Sequence, residues 1–128
     1  MPEENKSRTI LVIDDDPVIL KLLESLLKAQ GYIVIASREA AVGLEIAINR
    51  RPDLVILDVM MPIINGFNIC RLMKSEHGHK HIPIILLTSR AADGDREIGM
   101  QVGADAYIAK PVKTEELLRT IQEFLVNA

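Results

Sequence analysis

The chain has 128 residues, with 15 Lys and Arg against 18 Asp and Glu, a formal charge of −3. That balance argues against a nucleic-acid footprint, which needs a basic domain. The length suits one domain with one core, and 48% hydrophobic residues with only two Phe, two Tyr and no Trp make that core aliphatic. No apolar run reaches the roughly 18–20 residues that cross a bilayer. The N-terminus, Met1 to Thr9, is polar and charged, unlike a signal peptide. Cys70 is the only cysteine, which excludes an internal disulfide.

Taken in order, residues 1–7 read as a disordered tail and residues 8–128 as the domain. Thr9 to Ile13 is an all-apolar strand running into Asp14-Asp15-Asp16. Asp16-Pro17 is a helix start, with Asp as N-cap and Pro at the first helical position. Val18, Ile19, Leu22, Leu23, Leu26 and Leu27 follow at helical spacing, and Gly31 ends the helix. Tyr32 to Ala36 is a short strand. Ser37 is the expected cap of a second helix, with Ala40, Leu44, Ala47 and Ile48 on one face, stopping before Pro52.

Leu54 to Leu57 is four apolar residues ending in Asp58. Continuous Val, Ile and Leu without polar alternation marks a strand covered on both faces, as in parallel sheets. A third helix is predicted from about Phe67 to Ser75. A strand over Ile82 to Leu87 leads to Thr88-Ser89, and a helix over Ala91 to Val102 is closed by Gly103. The strand Ala106 to Ala109 ends at Lys110-Pro111. Thr114 is the expected cap of a last helix through Asn127, with Leu117, Leu118, Ile121, Phe124 and Leu125 as its stripe.

Five strands alternating with five helices give an α/β fold: a doubly wound, five-stranded parallel sheet. Right-handed crossovers lead to the strand order 2-1-3-4-5.

In such a sheet the carboxyl ends of all strands lie on one edge, where ligands collect. That edge carries Asp14 and Asp15 from the first strand, Asp58 from the third, Thr88 from the fourth and Lys110 from the fifth. Clustered carboxylates repel and call for a cation. Oxygen ligands without His or Cys suit Mg²⁺. Acids beside a lysine and a hydroxyl make a site for a phosphoryl group, and an aspartate can be the nucleophile that receives it.

These residues resemble a response-regulator receiver domain, the phosphoacceptor module of two-component signalling. The resemblance covers about Arg8 to Leu125. It rests on Val12-Ile13-Asp14-Asp15-Asp16-Pro17, Leu57-Asp58-Val59-Met60-Met61-Pro62 with Asn65-Gly66, Leu87-Thr88-Ser89, Gly103-Ala104-Asp105-Ala106-Tyr107 and Lys110-Pro111. It implies a flavodoxin-like (βα)5 fold. It also implies that Asp58 accepts a phosphoryl group from a histidine kinase or phosphotransfer protein. Asp15 directly, Asp14 through water, Asp58 and the Met60 backbone carbonyl would hold Mg²⁺. Thr88 and Lys110 would grip the phosphoryl oxygens, Tyr107 would act as an aromatic switch, and Lys110-Pro111 would be cis. A downstream target or a second copy would bind the face of the fourth helix, fifth strand and fifth helix. The charge balance, the lack of a bilayer-length apolar run, the polar N-terminus and the single cysteine together point to a soluble cytoplasmic protein that touches neither membrane nor nucleic acid. Its only catalysis would be of its own phosphorylation and dephosphorylation. Asn65 stands where the family often has Asp, and Val112 where Phe is commoner.

Plainer assignments cover the other polar residues. Asp16 is a helix cap and Cys70 a buried helix residue with no activating base nearby in sequence. His77, His79 and His81 belong to a solvated loop, and Arg90, Arg96 and Glu97 are surface charges. A haloacid-dehalogenase-type phosphatase would need a second Asp two residues after the nucleophile, where Met60 stands. A nucleotide or flavin module would need a Gly- or Ser/Thr-rich loop after the first strand, where three acids stand. The receiver is either a stand-alone protein or a piece of a longer regulator.

Overall fold

The computed structural model describes residues 8–61, 65–75, 81–88, 98 and 101–126. The predicted tail at 1–7, Arg90, Arg96, Glu97, His77 and His79 lie outside them. So does most of the predicted fourth helix, of which Ile98 and Gln101 are helical. His81 lies in an exposed turn.

The strands are β1 (Thr9–Ile13), β2 (Ile33–Ser37), β3 (Leu54–Asp58), β4 (Ile84–Thr88) and β5 (Ala106–Ala109). They form one parallel sheet in the order β2-β1-β3-β4-β5. The helices described are α1 (Pro17–Ala29), α2 (Ala40–Arg50), α3 (Gly66–Ser75) and a C-terminal helix, Thr114–Val126. This is the expected α/β arrangement with the expected strand order.

The uninterrupted apolar strands follow from the two layers that cover them. Successive side chains point to opposite faces. Ile10, Val12, Leu54, Ile56, Ile85 and Leu87 join Leu23 and Leu27 of α1 with Leu117, Ile121 and Leu125 of the C-terminal helix. Leu11, Ile13, Val55, Leu57, Ile84 and Leu86 join Ala47 of α2 with Ile69, Cys70 and Met73 of α3. Every residue of β3 and β4 is buried. Each Leu or Ile so buried contributes about 1.5–3 kcal/mol. Both faces of the central strands are thus used, and only their ends are open to chemistry.

Several boundaries differ from expectation for local reasons. β2 starts at Ile33 because the Tyr32 amide donates to Leu27 O at 3.2 Å, closing α1 over Gly31, whose φ is +97°. β4 starts at Ile84 because Pro83 has no N–H; its carbonyl accepts from Val55 at 3.0 Å. Ser37 ends β2 and does not cap α2. Its hydroxyl bonds the Glu39 backbone, and Glu39 occupies the cap position without a side-chain bond. Thr114 lies inside the last helix, where the Leu117 amide donates to Lys113 O at 3.0 Å, so Lys113 stands at the cap. In α1 the buried residues are Leu20, Leu23 and Leu27. Val18 and Leu22, expected in the apolar stripe, are 74% and 65% exposed. Ile48 of α2 is likewise 43% exposed, and Gly43 takes its place against the sheet, where a Cβ would meet the Ile13 side chain.

Candidate functional site at the carboxyl edge of the sheet

Asp58 is the last residue of β3 and sits in register with Leu87 of β4. The Val59 amide continues that ladder to Leu87 O at 2.9 Å, holding the strand end in line. Asp14 follows β1 directly, and its amide donates to Ser37 O at 3.1 Å. Thr88 ends β4 fully buried, and its carbonyl receives the Lys110 amide at 2.6 Å. Lys110 follows β5, and the Lys110-Pro111 bond is cis, as the sequence implied.

These strand ends bring together groups up to ninety-six positions apart. The Lys110 ammonium lies 3.0 Å from Asp14 Oδ2 and 3.3 Å from Asp58 Oδ1. The Asp16 amide donates to Asp14 Oδ1 at 2.9 Å, and the Met60 amide to Asp58 Oδ1 at 3.3 Å. Asp16 itself caps α1 through Val18 N–H at 2.9 Å, the plain role expected of it. Asp14 and Asp58 are buried, and Asp15 is partly exposed. One carboxylate oxygen from each of the three lies within 4.8 Å of the others.

The electrostatics record the crowding. Burial, then the charge of Asp14, pushes the Asp58 carboxyl up to about 6, although the Lys110 charge, its hydrogen bond and the Met60 amide pull the other way. Burial works against the Lys110 charge, but the hydrogen bond and charge of Asp14, followed by those of Asp58, outweigh it and raise that ammonium. The Asp58 carboxylate is therefore held poorly by its surroundings, and a further cation or proton is favoured there. Three oxygen donors with no His or Cys, two of them buried and one reaching solvent, are a donor set suited to Mg²⁺. Met60, whose amide bonds Asp58 Oδ1, is 49% exposed and carries an apolar side chain. Tyr107 is half-buried on β5, in register with Leu86 of β4, and packs against the α2–α3 side of the core.

Outside this edge, Cys70 is fully buried. Burial pushes its thiol up to about 11 even though Lys74, which the sequence reading passed over, lies near enough to pull it down. Its Sγ lies 3.6 Å from Val102 O. It is an inert core residue. Sequence reasoning missed the grip of the Asp16 amide on Asp14 and the close approach of Gly66 to Asp58. The spacing of Asn65-Gly66 after Asp58 was the available signal for the second.

The profile of a family described as "Response regulator receiver domain" matches residues 10–122. The chain is similar to the polar-differentiation response regulator DivK of Brucella anthropi: 32% identical over 121 residues, covering 94% of this chain and 98% of that protein. Among solved structures, the chemotaxis protein CheY4 of Vibrio cholerae superposes with a TM-score of 0.86 at 30% identity, covering 91% of this chain and 98% of that one. The receiver domain of a sensor histidine kinase from Pseudomonas aeruginosa gives a TM-score of 0.85 at 32% identity, covering 92% and 97% of the two chains. That structure has a magnesium ion coordinated in its active-site cleft.

Proposed function

The chain belongs to the response regulator receiver domain family, and from that premise we propose that Asp58 takes the phosphoryl group, in a Mg²⁺-dependent reaction, from a histidine kinase or histidine phosphotransfer protein. The observation that carries this reading is the Asp14–Asp58–Lys110 cluster, which joins a buried carboxylate of raised pKa to a second acid and an ammonium.

A carboxylate oxygen of Asp58 attacks phosphorus in line, the bond from phosphorus to the donor imidazole breaks, and an acyl phosphate forms on Asp58. Asp14, Asp15, Asp58 and the Met60 carbonyl are the residues that would hold Mg²⁺, which when bound neutralises charge on the transferring group. Lys110 already stands within ion-pair distance of Asp58, so a small movement of its ammonium reaches a phosphoryl oxygen. The Thr88 hydroxyl, at the end of the adjacent strand, donates to another. Met60 is exposed and apolar, and no second acid stands two residues after Asp58, which disfavours a phosphatase of the haloacid-dehalogenase type. The domain therefore acts as a signalling module whose catalysis is confined to its own modification.

The output follows from the same geometry. Thr88 and Tyr107 lie on paired strands, so a displacement of Thr88 toward the phosphoryl group changes the space beside Tyr107. This supports a partner or a second copy docking on the face of the predicted fourth helix, β5 and the C-terminal helix. No helix among the described residues is long and apolar enough to cross a membrane. We take the domain to span residues 8–128 and to work in the cytoplasm. Incubation with acetyl phosphate and Mg²⁺, read by intact mass, tests the whole reading. One phosphoryl group is expected on wild type and none on Asp58→Asn. Persistent labelling of the variant at another carboxylate would overturn it.

A further inference from the structure

Gly66, the first residue of α3, is pressed against the main chain that carries Asp58. A Cβ there would collide with the Asp58 carbonyl oxygen and stand 3.0 Å from its carbonyl carbon and 3.1 Å from Val59 Cα. These are backbone atoms of a fully buried strand end, and they cannot rotate aside as the tip of a side chain can. The approach is also bonded: the Gly66 amide donates to Val59 O at 3.1 Å.

The helix behind Gly66 is fixed at both ends. Asn65 caps its first turn, with Oδ1 accepting the Asn68 amide at 3.0 Å. At the far end the Lys74 ammonium donates to Ile82 O at 2.9 Å and pairs with Asp105 Oδ2 at 2.7 Å. Asp105 Oδ2 also accepts the Ile84 amide at 2.8 Å. Held this way, α3 cannot retreat from Asp58 without losing these bonds and its core contacts. A side chain at position 66 must therefore move the Asp58–Val59 peptide. That peptide aims the Asp58 carboxylate, and it leads directly to the Met60 amide and carbonyl.

We propose that Gly66 is a positioning residue for the metal and phosphoryl site: its lack of a side chain lets the first turn of α3 set the direction of the Asp58 carboxylate and the Met60 carbonyl. The inference rests on the Mg²⁺-dependent reading above, and the following comparison separates the two. Mg²⁺ is titrated into the folded protein and followed by the amide resonances of Asp15 and Met60, with urea unfolding measured in parallel. Gly66→Ala is expected to weaken Mg²⁺ binding at least about tenfold, the size of loss seen when support behind a metal ligand is removed.

Gly31→Ala serves as the steric control. Gly31 has φ +97° where α1 closes ahead of β2, at the edge of the sheet opposite Asp58, so that variant loses stability but keeps wild-type Mg²⁺ affinity. If Gly66→Ala does not fold, Asn65→Ala decides the matter. It loosens the same turn without adding a Cβ, and a smaller loss of affinity in the same direction is expected. Wild-type affinity in folded Gly66→Ala would overturn the inference. So would wild-type affinity in Asn65→Ala where the glycine variant does not fold. Wild-type protein that bound no Mg²⁺ and took no phosphoryl group would overturn the parent reading, and this inference with it.

Discussion

Lys110 holds Asp14 more closely than it holds Asp58, 3.0 Å against 3.3 Å, although both carboxylates are buried. The ammonium is thus shared, and neither acid is fully neutralised. Lys110→Met should lower stability in metal-free solution by about 1–3 kcal/mol. It leaves two facing buried carboxylates, and protonation of Asp58 limits the cost. Mg²⁺ should restore much of that loss by binding only the folded state. Urea unfolding with and without Mg²⁺ checks this, and equal midpoints for variant and wild type without metal would refute it.

The raised Asp58 carboxyl gives a pH signature. Its folded value is about 6 against an ordinary 3.8, so the folded state keeps a proton that the unfolded chain releases between those values. The associated stability is present below the unfolded value and is lost as pH rises through about 6. The shift corresponds to about 3 kcal/mol at neutral pH, in order of magnitude. Asp58→Asn removes the ionisation and should be the more stable protein at pH ~7.5 without metal, with the advantage vanishing near pH ~4. Lys110 adds no pH dependence within this window, because the stability linked to its raised value is fully present below the ordinary 10.5 and is lost only in alkaline solution. Melting curves across that range decide the point; an advantage for the variant independent of pH would contradict it.

Asp15→Asn removes the partly exposed member of the acidic cluster. Loss of one direct anionic ligand from a site with few should weaken Mg²⁺ binding by at least about tenfold and slow acetyl-phosphate labelling. Metal-free stability should hold or rise slightly as repulsion falls. An unchanged Mg²⁺ titration would count against the constellation as a metal site.

The strand-end residues were legible in the sequence because a run as short as Leu54 to Leu57, rich in β-branched residues and alternating with helical patterns, reads as a covered strand, and the next residue then stands at the edge. Asp14, Asp58, Thr88 and Lys110 all follow by that reasoning. The outward limits of the helices were not legible in the same way. Helical periodicity groups Val18, Leu22 and Leu26 with Ile19, Leu23 and Leu27, but only packing decides which edge is covered. The sheet takes Leu20, Leu23 and Leu27 and leaves Val18 and Leu22 outside. The caps at Ser37 and Thr114 failed because the backbone sets where a helix begins: α2 starts after Glu39, and the C-terminal helix starts at Thr114 itself, after Lys113. The nearness of Gly66 to Asp58 depends on how α3 returns to β3, which residue type alone does not fix.

The exposure of Val18 and Leu22 leads to a test of donor recognition. Both lie in α1, which begins three residues beyond Asp14 on the same edge as Asp58. Leu22→Lys should leave stability within about 0.5 kcal/mol, as expected for an exposed position. Labelling by acetyl phosphate should be unchanged, while transfer from a phosphohistidine protein slows. Equal transfer rates from the protein donor would show that this part of α1 lies outside the donor's footprint.

The last prediction concerns how long the phosphoryl group stays. Hydrolysis requires water to approach phosphorus in line, opposite the Asp58 oxygen. Met60 follows Asp58 by two residues and is 49% exposed. Its thioether side chain is flexible and apolar, so it cannot orient an attacking water and is able to cover the path. Asn at that position would offer a donor and an acceptor to such a water. Met60→Asn should therefore lose the phosphoryl group several-fold faster than wild type under the same Mg²⁺, with labelling by acetyl phosphate still intact. Because the variant leaves the main-chain carbonyl of residue 60 in place, Mg²⁺ affinity should stay close to wild type, which separates water access from metal loss. Phosphoryl loss followed by phosphorus NMR or intact mass makes the comparison. Equal or slower loss in Met60→Asn would mean that this side chain does not govern access to the phosphorus.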